Sequence, residues 1–259
     1  LHIFAAPDAG LTRLKLFIKY LLQRLLGFRR YLCWFAAWKV RTLHRDKKEK
    51  DFFVFMDLIP KEAGVIVDAG ANLGVMSVHL GRRFPDAQVV AVEPMPQNYG
   101  VLETVVKKFR VKNVQLHKVA LGDKPGVGKM VMPVEASVRQ HGLCHMEEVA
   151  DGEVVGERES VTIVKLDDLP MPDARVLAIK VDVENYEHKV LLGAREIIRR
   201  HRPVVYCELW DNQNRQDTLA LMRELGYGVF CVRQGRVVAF DPKDCVTQNF
   251  IFQAGLGED

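Results

Sequence analysis

Val67-Asp68-Ala69-Gly70-Ala71-Asn72-Leu73-Gly74 is the stretch whose reading decides the fold. Before it, Val65–Val67 is a short β-branched run; after it, a helical pattern continues through Phe84. A strand ending on a carboxylate, a turn of small residues and a helix open a β-α unit, and Gly tolerates the sharp turn and close backbone approach this needs. Outward from that unit the alternation repeats. Val89–Val92 reads as a second strand ending at Glu93, and Pro96–Phe109 as a helix with Val101, Leu102, Val105, Val106 and Phe109 on one face. Val114–Val119 is a third strand, Val176–Val183 a fourth with Tyr186–His201 as its crossover helix, and Val204–Leu209 a fifth, followed by a helix from about Asp217 to Leu225. Gly228–Val232 and Asn249–Gln253 are expected to close as a hairpin pair. Short continuous apolar strands separated by helices predict an α/β fold: a doubly wound, Rossmann-like, mostly parallel sheet covered on both faces. Between residues 124 and 170 the order breaks, and this Gly-, Glu- and Val-rich stretch is expected to form a hairpin excursion over one end of the sheet, supplying pocket walls.

Composition narrows the class. The chain has 259 residues, 48% hydrophobic and 27% charged, which suits one medium domain with an appendage and excludes disordered, collagen-like and disulfide-scaffold classes. Five cysteines (33, 144, 207, 231 and 245) include no C-x-x-C pair, the usage of a reducing compartment, so a cytoplasmic location is expected. The amino end shows no signal-peptide pattern, and its longest uncharged apolar run, Tyr31 to Trp38, is far short of the ~20 residues of a membrane span.

The net charge of +4 is unevenly spread. Residues 1–50 hold twelve Lys and Arg against Asp8, Asp46 and Glu49, leaving the remainder mildly acidic. No nucleic-acid partner is therefore expected from overall charge. Domain boundaries follow: a basic helical arm over 1–50 and the α/β domain over 51–259. In the arm Leu14, Phe17, Ile18, Leu21, Leu22, Leu25, Phe28 and Leu32 recur at three- and four-residue steps, while Arg13, Lys15, Lys19, Arg24 and Arg30 fall off that stripe. Such a basic amphipathic helix either packs on its own domain or a second subunit, or makes peripheral contact with the inner membrane surface through 11–50.

In a doubly wound sheet, ligands bind beyond the carboxyl ends of the strands. Glu93 ends the second strand, nineteen residues after Gly74, where a carboxylate can accept hydrogen bonds from both ribose hydroxyls of a nucleotide-like cofactor. These features fit a dinucleotide or S-adenosylmethionine. A dinucleotide site needs G-x-G-x-x-G spacing at its pyrophosphate. Here the spacing is G-x-x-x-G, and Asp68 stands two residues before the first Gly. A carboxylate there repels pyrophosphate and attracts an ammonium and a sulfonium, which favours S-adenosylmethionine over NAD.

VIVDAGANLG, AVEPMPQN, VALGD, LDDL at 166–169, IKVDVENYE at 179–187 and VVYCEL at 204–209 occur in an order that resembles FkbM-type methyltransferases. The resemblance covers about residues 52–255 and leaves out the arm. It implies a class I S-adenosylmethionine-dependent methyltransferase with a seven-stranded sheet whose last strand is antiparallel. It also implies that Asp68, Gly70, Asn72 and Gly74 cradle the methionine part of the cofactor, that Glu93 holds the ribose, and that Ala120 and Leu121 lie along the adenine. The acceptors of such enzymes imply O-methylation, here of a sugar or of a lipid- or polyketide-linked product. The family's D-V-E-G after the fourth strand reads D-V-E-N here, and Asn185 is the least costly substitute for a Gly in the left-handed region.

Asp182, Glu184, Glu187 and Glu208 crowd the ends of the fourth and fifth strands. Isolated carboxylates on apolar strands are costly, so pairing with Lys180 or His188 is the structural alternative to a functional role. A hydroxyl acceptor needs its proton taken within hydrogen-bond reach. Asp182, Glu184 and Glu208 are accordingly the candidate catalytic residues, Asp182 or Glu184 to orient or deprotonate the hydroxyl and Glu208 to align it. No metal is expected, because the carboxylates lack a recognisable ligand spacing and His141-Gly-Leu-Cys144-His145 lacks the second pair of a zinc site. That segment is expected as a loop over the site, and His117 as a core or edge histidine. The alternatives are an NAD-dependent dehydrogenase, and a non-catalytic module that keeps the cofactor pocket.

Overall fold

The computed structural model describes residues 9–147 and 155–255. Three helices come first: α1 (Ala9–Leu26), α2 (Phe28–Thr42) and α3 (Lys50–Leu58). The α/β body then follows in chain order as β1 (Gly64–Ala69), α4 (Val75–Arg83), β2 (Ala87–Val92), α5 (Pro96–Lys108), β3 (Val114–His117), β4 (Ala120–Leu121), β5 (Gly126–Glu135), β6 (Val138–Arg139), β7 (His145–Met146) and β8 (Gly156–Val164). It ends with β9 (Val176–Val181), α6 (Glu187–Leu192), α7 (Arg195–His201), β10 (Val204–Glu208), α8 (Gln213–Glu224), β11 (Tyr227–Arg233), β12 (Arg236–Ala239) and β13 (Asn249–Ala254).

The main sheet has the order β12-β11-β13-β10-β9-β1-β2-β3. From β10 to β3 all pairs are parallel, and β13 runs antiparallel between β10 and β11. The sheet therefore holds eight strands, not seven. The extra one, β12, folds back on β11 across the Gln234-Gly235 turn, where both residues have positive φ. Burial on both faces explains the unbroken apolar runs. On β1, Val65, Val67 and Ala69 pack toward Val190, Leu191, Ile198, Leu219 and Met222 of α6–α8, while Ile66 packs toward Phe52, Phe55 and Leu80 of α3 and α4. Asp68 has the same parity as Ile66, so it points to the α4 side.

Two expectations about elements change. The crossover helix is broken into α6 and α7 at Gly193, where a Cβ would overlap the carbonyl oxygen of Gly122. Asp167, from the LDDL segment, restarts it: its carboxylate accepts from Glu196 N at 3.2 Å and Ile197 N at 2.9 Å, satisfying amides that have no partner within the helix. The third strand also ends early, at His117, and a separate short strand, β4, pairs with β8 instead of the main sheet. Between 124 and 170, β5 and β8 form the long antiparallel hairpin, with β6 and β7 along β5; residues 148–154 of this stretch lie outside the described residues.

The two arm helices differ. α2 buries Tyr31, Leu32, Ala36 and Val40 in one cluster with Leu73, Val78, Val101, Leu102 and Val105, so it is part of the core formed with α4 and α5. α1 packs on α2 and on β6, joined through Gly27 at φ 76°. Of the basic residues off the arm's stripe, the side chains of Arg13 and Lys15 lie outside the described residues. No helix of the described residues is long and apolar enough to cross a membrane.

Candidate active site

A cleft opens at the carboxyl ends of β1, β2, β9 and β10. Gly70, Asn72, Glu93, Asn98, Ala120, Leu121, Asp182, Glu184 and Glu208 all line it, with Met130, His141, Cys144, Met146 and Tyr186 from the hairpin and the β9–α6 loop. Eight of the ten site residues expected from the sequence line this wall, while Asp68 and Gly74 do not.

At the β1–β2 end the geometry is built from backbone. Gly70 takes φ 75°, and a Cβ there would overlap the carbonyl oxygen of Asp182, so glycine is needed for the approach of the neighbouring strand end. Glu93 is almost fully buried; its Oε2 accepts from Asn72 N at 2.9 Å and its Oε1 from Met95 N at 3.0 Å. Burial raises its pKa to about 7 against these stabilising hydrogen bonds. The Oδ1 atoms of Asn72 and Asn98 are buried with no partner among the described residues. An orphaned buried amide oxygen is costly, and a ligand with amino or hydroxyl donors would satisfy it. Val119, Ala120, Leu121 and Met130 add an apolar strip. Carboxylate, amide acceptors and apolar strip together fit a nucleoside carrying an amino acid, the shape and chemistry of S-adenosylmethionine.

Asp68 and Gly74 are the corrections. Asp68 has no exposed surface and does not line the cleft; its Oδ2 accepts from Ser77 Oγ at 2.6 Å, and its Oδ1 lies 3.1 Å from Lys180 Nζ. Strand parity is the reason, since it turns the side chain toward α4. Gly74 caps α4 at φ 79°, where a Cβ would overlap Leu102 Cδ1; it serves the packing of α4 on α5.

At the β9–β10 end, Lys180 is the cross-strand neighbour of both Asp68 and Tyr206. Its ammonium donates to Gly70 O at 2.9 Å and Ala69 O at 3.4 Å, and pairs with Asp182 Oδ2 at 3.4 Å. Burial works against this charge, but Asp68 and Asp182 outweigh it and hold the pKa above that of free lysine. Around it the carboxylates outnumber the cation. Glu184 is raised to about 8 by burial and by Asp182, Glu208 and Glu187, and Glu208 to about 7 by burial and Asp182. Glu187 is structural: Oε1 accepts from Val183 N and Asn185 N at 3.2 and 3.1 Å, and Oε2 from Asn214 Nδ2 at 2.6 Å. It holds the turn in which Glu184 and Asn185 both take positive φ, 53° and 73°, so Asn185 occupies the left-handed region expected of it.

Sequence reading gave no role to Asn98, although it closes the AVEPMPQN motif, or to Lys180 as the link between the two ends. His141 lines the cleft and lies edge-on to Phe35 of α2 at 5.6 Å; burial lowers its pKa to about 4. His117 sits at the end of β3 with Gln115 Nε2 at 2.9 Å. Among the described residues no group of three or more His, Cys, Asp or Glu is arranged to hold a metal ion.

Known proteins bear on this site in three ways. Residues 68–229 match the model of the methyltransferase FkbM domain, more than half of the chain. "Methyltransferase 1" of Beauveria bassiana (strain ARSEF 2860) is 27% identical over 146 residues, covering 49% of this chain and 57% of that protein; "31-O-demethyl-FK506 methyltransferase FkbM" of Streptomyces tacrolimicus is 25% identical over 191 residues, covering 64% and 73%. The chain thus spans little more than half the length of the first of these. The crystal structure of methyltransferase FkbM from Methylobacillus flagellatus KT shares the fold, with a TM-score of 0.53 at 16% identity, covering 95% of this chain and 60% of that one. With the matched segment running from the β1 carboxylate through β9 and β10 into β11, and so across both ends of the cleft, the chain belongs to the FkbM family of S-adenosylmethionine-dependent methyltransferases.

Proposed function

We propose that the chain methylates an acceptor hydroxyl, carried on a sugar or on a lipid- or polyketide-linked product. The observation that carries this reading is the crowd of Asp182, Glu184 and Glu208 at the mouth of the cleft, one strand end away from the residues that suit the cofactor. Bound S-adenosylmethionine supplies an electrophilic methyl carbon. The residues of the chain hold the hydroxyl in line and take its proton as the oxygen–carbon bond forms and the carbon–sulfur bond breaks, which leaves S-adenosylhomocysteine.

A base is most effective when its pKa lies near the working pH. Glu208, at about 7, suits proton acceptance; Glu184, at about 8, is largely protonated near neutrality and suits donation of a hydrogen bond to the acceptor. Asp182, anchored by Lys180, positions the hydroxyl between them. A site for the acceptor body is supported by a neighbouring cavity, lined by Pro133, Leu143, Met146, Tyr186 and Trp210, which shares Glu184 with the cleft. Oxygen as the target is further supported by the Streptomyces relative, whose name assigns it 31-O-demethyl-FK506.

The test is transfer of labelled methyl from S-adenosylmethionine to a panel of hydroxyl, amine and carbon acceptors, beside calorimetry with S-adenosylhomocysteine. Label on a hydroxyl is expected, with Glu208→Gln lowering kcat by about a hundredfold or more and leaving S-adenosylhomocysteine affinity within about threefold. Label only on nitrogen or carbon overturns the reading. Turnover with any acceptor dismisses a non-catalytic role.

A further inference from the structure

Helix α1 is built inside out. On a helix of about 3.6 residues per turn, Leu14, Phe17, Ile18, Leu21 and Leu25 fall within roughly 100° of one another. All five are exposed, Leu14 by 55%, Phe17 by 56% and Leu25 by 77%. The side that meets the protein is largely polar, with Leu22 alongside it packed against the core of α2, α4 and α5. Gln23 exchanges two hydrogen bonds with the backbone of Arg139, each 3.2 Å, and Lys19 Nζ donates to Gln140 Oε1 at 3.4 Å. A surface helix of a soluble domain normally does the reverse, and a contiguous apolar patch of this kind marks an interaction site.

Charge selects the occupant. From Ala9 to Arg45 the sequence holds nine Lys and Arg and no Asp or Glu. Arg24, Arg29 and Arg30 are exposed around the junction of α1 and α2, and α2 also leaves Trp34 and Trp38 about half exposed. Two copies facing each other through this surface would bring two uncompensated positive fields together. An apolar stripe flanked by cations and indole rings matches an anionic bilayer surface, with the apolar face among the acyl chains and the cations at the phosphates.

We propose that α1 docks the protein on anionic membranes by inserting Leu14, Phe17, Ile18, Leu21 and Leu25 while Arg24, Arg29 and Arg30 engage lipid phosphates. This is a helix lying in the interface. It carries Lys19 and Arg24 within its length and does not span. Its polar side grips Arg139 and Gln140, next to His141 in the cleft wall, so docking brings the cleft to the membrane surface. The inference stands apart from the choice of acceptor.

The experiment is co-sedimentation of the full chain with phosphatidylcholine vesicles and with vesicles containing about one-third phosphatidylglycerol, at low and at 0.5 M salt. Two variants accompany it, Leu21→Glu/Leu25→Glu and Arg24→Gln/Arg29→Gln/Arg30→Gln, with circular dichroism and S-adenosylhomocysteine binding to confirm that the body is intact. Expected are at least tenfold tighter binding to the anionic vesicles, weakening at high salt, and at least a tenfold loss in each variant. Absence of binding to anionic vesicles overturns the proposal, as does binding indifferent to Leu21→Glu/Leu25→Glu. A dimer that this pair dissolves, without vesicle binding by the parent, assigns the face to a second copy instead.

Discussion

The two ends of the cleft solve opposite problems. At the β1–β2 end the one carboxylate, Glu93, is enclosed and is held by two backbone amides, and those amides shape the turn around it. At the β9–β10 end, Asp182, Glu184 and Glu208 share a single ammonium that is already committed to Asp68. One end is a finished mould. The other carries charges that the protein leaves for protons or a ligand to settle. Preorganisation therefore suits the end proposed for the cofactor, and electrostatic tension suits the end proposed for proton transfer.

The largest effect expected from breaking this contrast is that of Lys180→Met. Removing one partner of a buried pair leaves Asp68 and Asp182 uncompensated, so a loss of about 3–5 kcal/mol is expected in urea unfolding at neutral pH. A loss below about 1 kcal/mol would mean that Ser77 and solvent carry those charges and that the two ends are not joined through the ammonium.

Next in size is a pH effect confined to the β9–β10 end. Glu184 has a folded pKa of about 8 against an ordinary 4.5. Below about pH 4.5 it is protonated in both states and contributes nothing. As pH rises, the unfolded chain gives up its proton first, so stability falls until about pH 8 and the penalty then stays in full. Glu184→Gln is accordingly expected to be more stable than the parent by about 1–3 kcal/mol at pH 8.5 and nearly equal at pH 5, read from Tm at the two values. Equal gains at both pH values would remove charge as the cause.

The smallest effect sharpens the reading of the turn itself. Asn185→Gly relieves a left-handed residue but gives up the 2.6 Å hydrogen bond that Asn212 Nδ2 donates to Asn185 Oδ1. The two changes oppose each other, and a net shift within about 1 kcal/mol is expected. Methyl transfer should persist. A larger loss would show that Asn185 holds the α6–α8 edge of the acceptor side.

Much of the frame was legible because the physics was local. β1, β2, β9 and β10 are buried on both faces and so appear as unbroken apolar runs, and the small-residue turn after β1 announces the cleft. The break at Gly193 was not legible, since it depends on the carbonyl of Gly122, far away in the chain. Strand β12 lies on the edge of the sheet, where half-exposed residues give a weak pattern. Glu93, Asn72, Ala120 and Leu121 come to the cleft wall, whereas Asp68 does not, because motif spacing tells where a turn falls but not which side of the sheet a side chain takes. Parity carried that information: Ile66 and Asp68 share a face, as do Ala178 and Lys180. The α1 stripe was legible as a stripe. Periodicity has no sign, however, and only the bonds of Lys19 and Gln23 to the β5–β6 corner show which way it faces.

The reach of Lys180 has a thermodynamic consequence. One ammonium touches the carbonyls of Ala69 and Gly70 at the turn after β1 and the carboxylate of Asp182 at the end of β9. Proton occupancy at one end and ligand occupancy at the other are then linked functions, and linkage runs equally in both directions. A cationic guest lowers the affinity of Glu184 and Glu208 for protons, and stripping those protons tightens the hold on the guest. On the function proposed above, loss of the guest's charge would run the same linkage backward and return protons to the carboxylates.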